Sequence, residues 1–437
     1  MKHDITTLIL DDGFLCKDCG KNHFGKLAKC IVGDGVISSL PDVMVEFGVS
    51  YPYVLCDRNT YNAAGERVCA VLDSADIKYV LHIIEREHPA PDERLVGEAM
   101  MYCPVSCDSV IAVGGGVIND TGKVIASAKN APDIIVGTAP SMDGFASATS
   151  SMERGGLKIS LNTKCPDAVI GDTSVLAAAP KHMICSGIGD MLAKYVSLVE
   201  WQIARVILDE YYCPTVAAMV KDALDICVNS AKAAVNGDKT AISAVMEGLV
   251  ISGLAMNYAG VSRPASGMEH YISHIIDMRA LEFGTPWDLH GIQCGIATLE
   301  TIRAYEKLVT HTPDVEKALK YVREFDLVKW NESLRAHLGK GAELIIEGDM
   351  REKKYDPAKH EIRIRRIAEK WDEITKIIRT LPSSEWLEEF MRDIGHPTSF
   401  SEIGITDKDA NTAFLMAKDI RDKYVLGKLM WDMGVIE

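Results

Sequence analysis

Between about residue 28 and residue 137, short apolar runs alternate with longer stretches whose apolar positions recur at helical spacing. The runs KCIVG, YPYVLCD, KYVLHII, DSVIAVGGG and DIIVGT are β-branched or otherwise apolar and predict strands. The intervening VISSLPDVMVEFG and TYNAAGERVCAVLDSA have the length of helices. Strand and helix in alternation predict a parallel sheet covered by helices, a Rossmann-like α/β arrangement whose ligands lie beyond the carboxyl ends of the strands. After about residue 175 the pattern turns to long stretches rich in Ala, Met, Leu, Glu and Lys at helical spacing, with few strand-like runs. The fold class is therefore α/β followed by all-α, with an α/β domain over 1–175 and a helical domain over 176–437. The run GDTSVLAAAPKHM marks the crossing, with Gly171-Asp172 predicted as a turn and Pro180 as a helix start. From about residue 340 the chain becomes densely charged, and the alternating signs between 345 and 380 predict a helical extension with a solvated face.

The most informative stretch is DSVIAVGGGVINDTGKVIA, residues 108 to 126, where an apolar run ends in three glycines and passes directly into a helical pattern. Gly114, Gly115 and Gly116 have no Cβ, so the turn is expected to take φ > 0 and approach a ligand closely. The N–H groups that open the next helix would then face a phosphate. The plain alternative is a glycine-rich turn without a ligand. Asp57 ends the second strand-like run, where it could hold the hydroxyls of a nucleotide ribose or simply cap the helix starting near Asn59. It precedes the glycines, whereas the usual dinucleotide fingerprint puts its acidic residue about 20 positions after them, so this is not an ordinary Rossmann signature.

A chain of 437 residues exceeds the size at which one core stops growing, which agrees with two domains. Hydrophobic residues at 47% and charged residues at 25% are ordinary for a globular protein, and no apolar run is expected to span a bilayer. The opening MKHDITTLILDDGF is too short and acid-flanked for a signal peptide, and twelve dispersed cysteines read as reduced thiols or metal ligands, so the expected location is the cytoplasm. The net charge of −15 argues against nucleic acid and anionic membranes as partners.

Three places in the second half carry metal-capable side chains in apolar settings: GIGDMLAKY with Asp190, SGMEHYISHIIDM with His270 and His274, and DLHGIQCGI with His290. Asp190 alone could be an N-cap. His270 and His274, four apart, share a helix face, and Tyr271 between them rules out the HExxH protease motif. One carboxylate with two or more imidazoles suits a divalent Zn, Fe or Ni ion with an open coordination position. Separately, CKDCGKNH places Cys16, Cys19 and His23 at a spacing that could begin a structural zinc site, with Cys30 as a fourth ligand; a surface hairpin with a Cys-Gly turn is the alternative.

The ordered set GGGVINDTGK, TAPSMDGFAS, GIGDMLAKYVSLVEW, EHYISH and the His-Gly of LHG resembles the iron-containing alcohol dehydrogenase and dehydroquinate synthase superfamily, and within it the sn-glycerol-1-phosphate dehydrogenase family. The resemblance covers roughly residues 30 to 310. It implies a dinucleotide-binding first domain and a metal- and substrate-binding second domain. Gly115, Gly116 and Asp120 would line the pyrophosphate and nicotinamide side of an NAD or NADP site, completed by Thr138, Ser141 and Ser147. Asp190, His270 and His290 would hold one divalent metal, Asp143 would contact substrate hydroxyls, and His274 would hydrogen-bond the substrate beside the metal. The implied reaction is reversible reduction of dihydroxyacetone phosphate to glycerol 1-phosphate, in lipid biosynthesis, by a homo-oligomer. Unaided chemistry agrees, because a cation stabilises the charge that builds on a ketone oxygen as hydride arrives. The substrate phosphate needs donors, and Arg154, Lys158, Lys164 and Lys194 lie near the motifs. Other polyol or alcohol dehydrogenases of the superfamily are alternatives. ERGGLKISLN is also loosely similar to a stretch of dehydroquinate synthase, whose reaction returns the cofactor unchanged.

Overall fold

The computed structural model describes residues 13–436; the amino-terminal segment read above for a signal peptide lies largely outside the described residues. Two compact units emerge. Unit 1 holds the described residues up to Met191 together with Thr215–Val261, and unit 2 holds Leu192–Pro214 together with the residues from Ser262 on.

Unit 1 is built on a six-stranded parallel sheet of β3 (Lys29–Gly33), β4 (Pro52–Asp57), β5 (Val80–Ile84), β6 (Ser109–Gly114), β7 (Asp133–Gly137) and β10 (Ala168–Asp172), in the order β3-β10-β7-β6-β4-β5. The five strand-like runs of the sequence are the first five of these strands. The central strands are buried along their length, with Asp57 at the end of β4 half-buried, as expected where helices cover both faces of a parallel sheet. The order reverses between β4 and β6, so the switch point where such sheets bind ligands has Asp57 on one side and Gly114 on the other. Outside the sheet lie two hairpins, β1 (Phe14–Leu15) with β2 (Asn22–His23), and β8 (Thr149–Arg154) with β9 (Leu157–Asn162). The helices of this part are α1 (Leu40–Glu46), α2 (Glu66–Ser74), α3 (Glu93–Tyr102), α4 (Gly116–Lys129) and α5 (Lys181–Leu192). The chain leaves unit 1 for α6 (Lys194–Leu208) and returns for α7 (Pro214–Ala234) and α8 (Lys239–Ala259).

Three expectations need correction here. The run predicted as a turn at Gly171-Asp172 is the end of β10, whose Ala-Val-Ile stretch is buried between β3 and β7; Asp172 then caps a short helix by accepting the Ser174 amide. Contrary to the expectation that no run could span a bilayer, α8 is long and apolar enough to do so. It is instead a core helix, mostly buried in the protein. Its packing is also why the units do not divide at residues 175/176: α8 lies against the loop after β7, where a Cβ on Gly253 would come within 2.9 Å of the Asp143 carbonyl.

Among the described residues, unit 2 contains helices and no strand: α6, then α9 (Met268–Phe283), α10 (His290–Leu308), α11 (Val315–Glu324), α12 (Leu327–Leu338), α13 (Gly341–Glu352), α14 (Pro357–Ile378), α15 (Ser384–Ile394), α16 (Asp407–Met416) and α17 (Leu426–Asp432). The charged extension is α13 and α14, and its face is not wholly solvated. Arg363 of α14 is buried and makes two bonds, of 2.7 and 2.8 Å, to the buried carboxylate of Asp432, and His360 reaches the Asp432 carbonyl at 2.8 Å.

Candidate active site

In unit 1 the glycine loop joins β6 to α4. Close approach, not positive φ, accounts for Gly114 and Gly116: Gly115, with ordinary space for a Cβ, has φ −92°, and none of the three has positive φ. A Cβ on Gly114 would sit 2.5 Å from Ile118, and one on Gly116 would sit 3.2 Å from the Met142 sulfur. The loop after β7 runs beside it, with Gly114 and Gly137 in register and the Thr138 amide donating to the Gly114 carbonyl at 3.3 Å. Thr138, Ser141 and Ser147 are buried in or beside that loop. Ser147 lies within 3.2 Å of the Lys123 ammonium, and Ser186 donates to the Ser141 carbonyl at 2.9 Å. Asp120, inside α4, accepts the Ser151 amide at 3.1 Å and a bond from Asn119; burial raises its pKa to about 6, Lys123 working against the rise. Asp57 caps the turn after β4 through a reciprocal pair of bonds with Thr60, at 2.8 and 2.9 Å. The neighbouring Arg58 pairs with Glu85.

Asp190 is not an N-cap. It lies near the end of α5, fully buried, and its Oδ2 accepts the Asp143 amide at 2.8 Å. Asp143 in turn accepts the Ser252 hydroxyl at 2.9 Å. The two carboxylates assigned to metal and substrate are therefore coupled through one backbone amide. Gly187 permits this approach, because a Cβ there would meet the Pro140 carbonyl oxygen at 1.9 Å.

In unit 2, α9 carries His270 and His274, and His290 opens α10. The rings of His270 and His290 lie edge to face with centroids 5.0 Å apart, and His274 stacks on His290 at 5.8 Å. Nδ1 of His270 is held by Glu269 Oε1 at 2.8 Å, and Nδ1 of His290 by Ser273 Oγ at 3.1 Å. With both Nδ1 atoms engaged, Nε2 is the nitrogen each ring offers a metal, which is how metal-binding imidazoles are normally oriented. This donor set fits a divalent cation. The sequence reading omitted Cys294, whose Sγ joins the donor atoms of His270 and His290 within 4.8 Å. Its spacing of four from His290 on one helix was the available signal. Burial raises the Cys294 thiol, but the two imidazoles outweigh it and bring it below the usual range.

Two further buried residues, Lys123 at the end of GGGVINDTGK and Glu200 in GIGDMLAKYVSLVEW, lie inside the motifs but were given no role from sequence. Lys123 donates to the Gly144 carbonyl and so fixes the loop holding Asp143. Glu200 accepts the amides of Met268 and Leu426 at 2.9 and 2.7 Å, which anchors the first turn of α9; burial and the nearby Glu269 raise its pKa. Of the phosphate-donor candidates, Lys194 is buried on the Ala265 carbonyl at 3.0 Å and Lys164 bonds Asn130, while Arg154 and Lys158 lie on the β8–β9 hairpin.

Residues 31–180 match the family described as iron-containing alcohol dehydrogenase. Over 379 residues the chain is 32% identical to a protein of Bacillus velezensis named glycerol-1-phosphate dehydrogenase (NAD(P)+), spanning 86% of this chain and 84% of that one. The chain belongs to the glycerol-1-phosphate dehydrogenase family. A member of this family from Bacillus licheniformis is 30% identical over 423 residues, 96% of this chain and 92% of its own. Solved structures share the fold: a probable glycerol dehydrogenase from Sinorhizobium meliloti aligns with a TM-score of 0.59 at 19% identity over 94% of this chain and 95% of its own. An alcohol dehydrogenase from Oenococcus oeni gives 0.60 at 17% over 94% and 97%. A parallel α/β sheet followed by helices is the arrangement the sequence predicted.

Proposed function

We propose that this protein is a metal-dependent, NAD(P)-linked dehydrogenase that reversibly reduces dihydroxyacetone phosphate to sn-glycerol 1-phosphate. The observation that carries the reading is the imidazole pair of α9 and α10, each ring with its Nδ1 engaged by a neighbour, in a chain whose relatives bear that name. Asp190, His270 and His290 are assigned as the ligands of one Zn, Ni or Fe ion. When bound, that cation polarises the substrate oxygen and the reduced nicotinamide supplies hydride.

The chain's own residues do the rest. Amides at the start of α4, beside Gly115 and Gly116, receive the pyrophosphate, with Asp120, Thr138, Ser141 and Ser147 shaping that side of the site. Asp57, at the switch point, receives the ribose hydroxyls, and its charge disfavours a 2′-phosphate. Asp143, fixed by the Ser252 hydroxyl and by the hydrogen bond its own amide donates to Asp190, orients the substrate hydroxyls. His274 donates the proton that the product oxygen requires. Arg154 and Lys158 are the donors assigned to the phosphate. The enzyme is taken to work in the cytoplasm as a homo-oligomer, without nucleic acid or membrane as partner.

The deciding experiment follows NADH and NADPH absorbance when dihydroxyacetone phosphate is added to metal-stripped protein resupplied with Zn, Ni or Fe. Oxidation restored by a metal supports the reading. Undiminished oxidation after stripping removes the metal requirement, and no net oxidation with any ion turns the reading first to other carbonyl or alcohol substrates and then to a synthase-like reaction that recycles NAD.

A further inference from the structure

The amino-terminal hairpin of unit 1 holds a second group of metal-capable side chains that the proposed reaction does not use. Strands β1 and β2 pair Phe14 with His23 and Leu15 with Asn22. The loop between them is closed by the Cys16 amide to the Lys21 carbonyl and the Gly20 amide to the Cys16 carbonyl, both 2.9 Å, with Gly20 at φ +70°. This folding gathers Cys16, Cys19 and His23, whose donor atoms lie within 4.8 Å of one another. Cys16 and His23 are buried at 2% and 0% exposure, an unusual place for a surface hairpin to put its polar groups.

The hydrogen bonds around the group orient it as ligands are oriented. His23 Nδ1 lies 2.7 Å from the Tyr258 carbonyl, which can only accept, so Nδ1 carries the proton and Nε2 the lone pair. That Nε2 faces Cys19 Sγ at 3.3 Å. The backbone amides of Asp18 and Cys19 donate to Cys16, as befits a thiolate. Thr215, at the start of α7, puts its Oγ1 3.3 Å from Cys16 Sγ and donates to Asp18 at 2.7 Å. Cys213, also fully buried, is tethered only two residues ahead of Thr215. Cys30, which the sequence offered as a fourth ligand, is not in the group; it lies on β3, where burial and Glu247 hold its thiol protonated.

We propose that Cys16, Cys19, His23 and Cys213 form a structural zinc site, distinct from the catalytic cation. Three thiolates and an imidazole make a closed tetrahedral set with no position left for substrate, the pattern of structural zinc. The site has a clear physical purpose. A hairpin of two residues per strand is marginal alone, and a metal would tie it to the start of α7.

The test uses the full-length protein. Elemental analysis of a His270→Ala, His290→Ala double variant should find about one equivalent of zinc, and the further change Cys19→Ala should remove it. Cobalt-substituted wild type should show thiolate-to-cobalt absorption in the near ultraviolet. That absorption should survive Cys294→Ser and collapse in Cys213→Ser. His23→Cys should keep the metal and His23→Ala should lose it, separating ligation from loss of folding. Absence of zinc from the double variant, cobalt absorption that depends only on Cys294, or a Cys16–Cys19 disulfide in fresh protein would each overturn the site. None of these readouts depends on the enzyme's activity.

Discussion

Single atoms decide much of the candidate active site. The missing methyl group at Gly187 lets α5 reach the Pro140 carbonyl and brings Asp190 to the Asp143 amide. Gly187→Ala forces that backbone apart, so a loss of about 3 kcal/mol in urea unfolding is expected, at the upper end of overpacking costs. A change under about 0.5 kcal/mol would show that the approach is not tight. Asp133 is a second case: burial raises its carboxyl to about 8, and both oxygens are buried without a hydrogen-bond partner. The native state keeps this proton while the unfolded chain releases it near the ordinary value of 3.8, so between about pH 4 and 8 the native state binds more protons and stability falls as pH rises. Asp133→Asn should flatten that slope, by roughly 1 kcal/mol per pH unit, and be the more stable protein at pH 8. Equal pH profiles for the two proteins would refute the assignment. On the proposed assignment of Asp57 to the ribose hydroxyls, Asp57→Ser removes a charge unfavourable to a 2′-phosphate and should lower the KM for NADPH roughly tenfold, about 1.4 kcal/mol, with little change for NADH.

Elements position what residues then use. Gln293 on α10 donates to Ser273 on α9 at 3.0 Å, and Ser273 holds His290, so one hydrogen-bonded chain sets the ring. Ser273→Ala should weaken metal binding 10- to 100-fold in a chelator competition while leaving the helical circular dichroism unchanged. Unaltered affinity would mean that the hydroxyl does not orient the imidazole. The strands of the sheet were legible in the sequence because their apolar runs are continuous, as burial on both faces requires. Strand β10 was not, because Gly171 and Asp172 carry turn chemistry at the end of a buried strand, and tertiary pairing overrode it. The glycine loop was placed correctly, yet its reason was misread: crowding by Ile118 and Met142 demands glycine there, and a crowded neighbour cannot be seen in the sequence. His270 and His290 stood out as metal-capable imidazoles in apolar settings, and the resemblance then implied that they are ligands. Glu200 and Lys123, which fix the elements carrying the site, lie within quoted motifs, but their partners are 68 and 21 positions away and a local pattern does not name them.

At the scale of the molecule, the glycine loop belongs to unit 1 and the imidazole pair to unit 2. Chelation should therefore abolish turnover while NADH still quenches or enhances fluorescence with unchanged affinity; loss of nucleotide binding with the metal would contradict this separation. The interleaving of the units has a further consequence, for synthesis. The ribosome delivers the sheet by Met191, but α7 and α8 follow only after the first stretch of unit 2 has emerged, 70 residues later at Val261. At about 5–20 residues per second that is a delay of roughly 4–14 s. During it, the nascent sheet lacks the apolar helix Lys239–Ala259 that packs in its unit. Slow translation or a chaperone holding this span open would govern how much chain reaches the folded state, and a stop codon placed anywhere before Val261 would leave a fragment prone to aggregate.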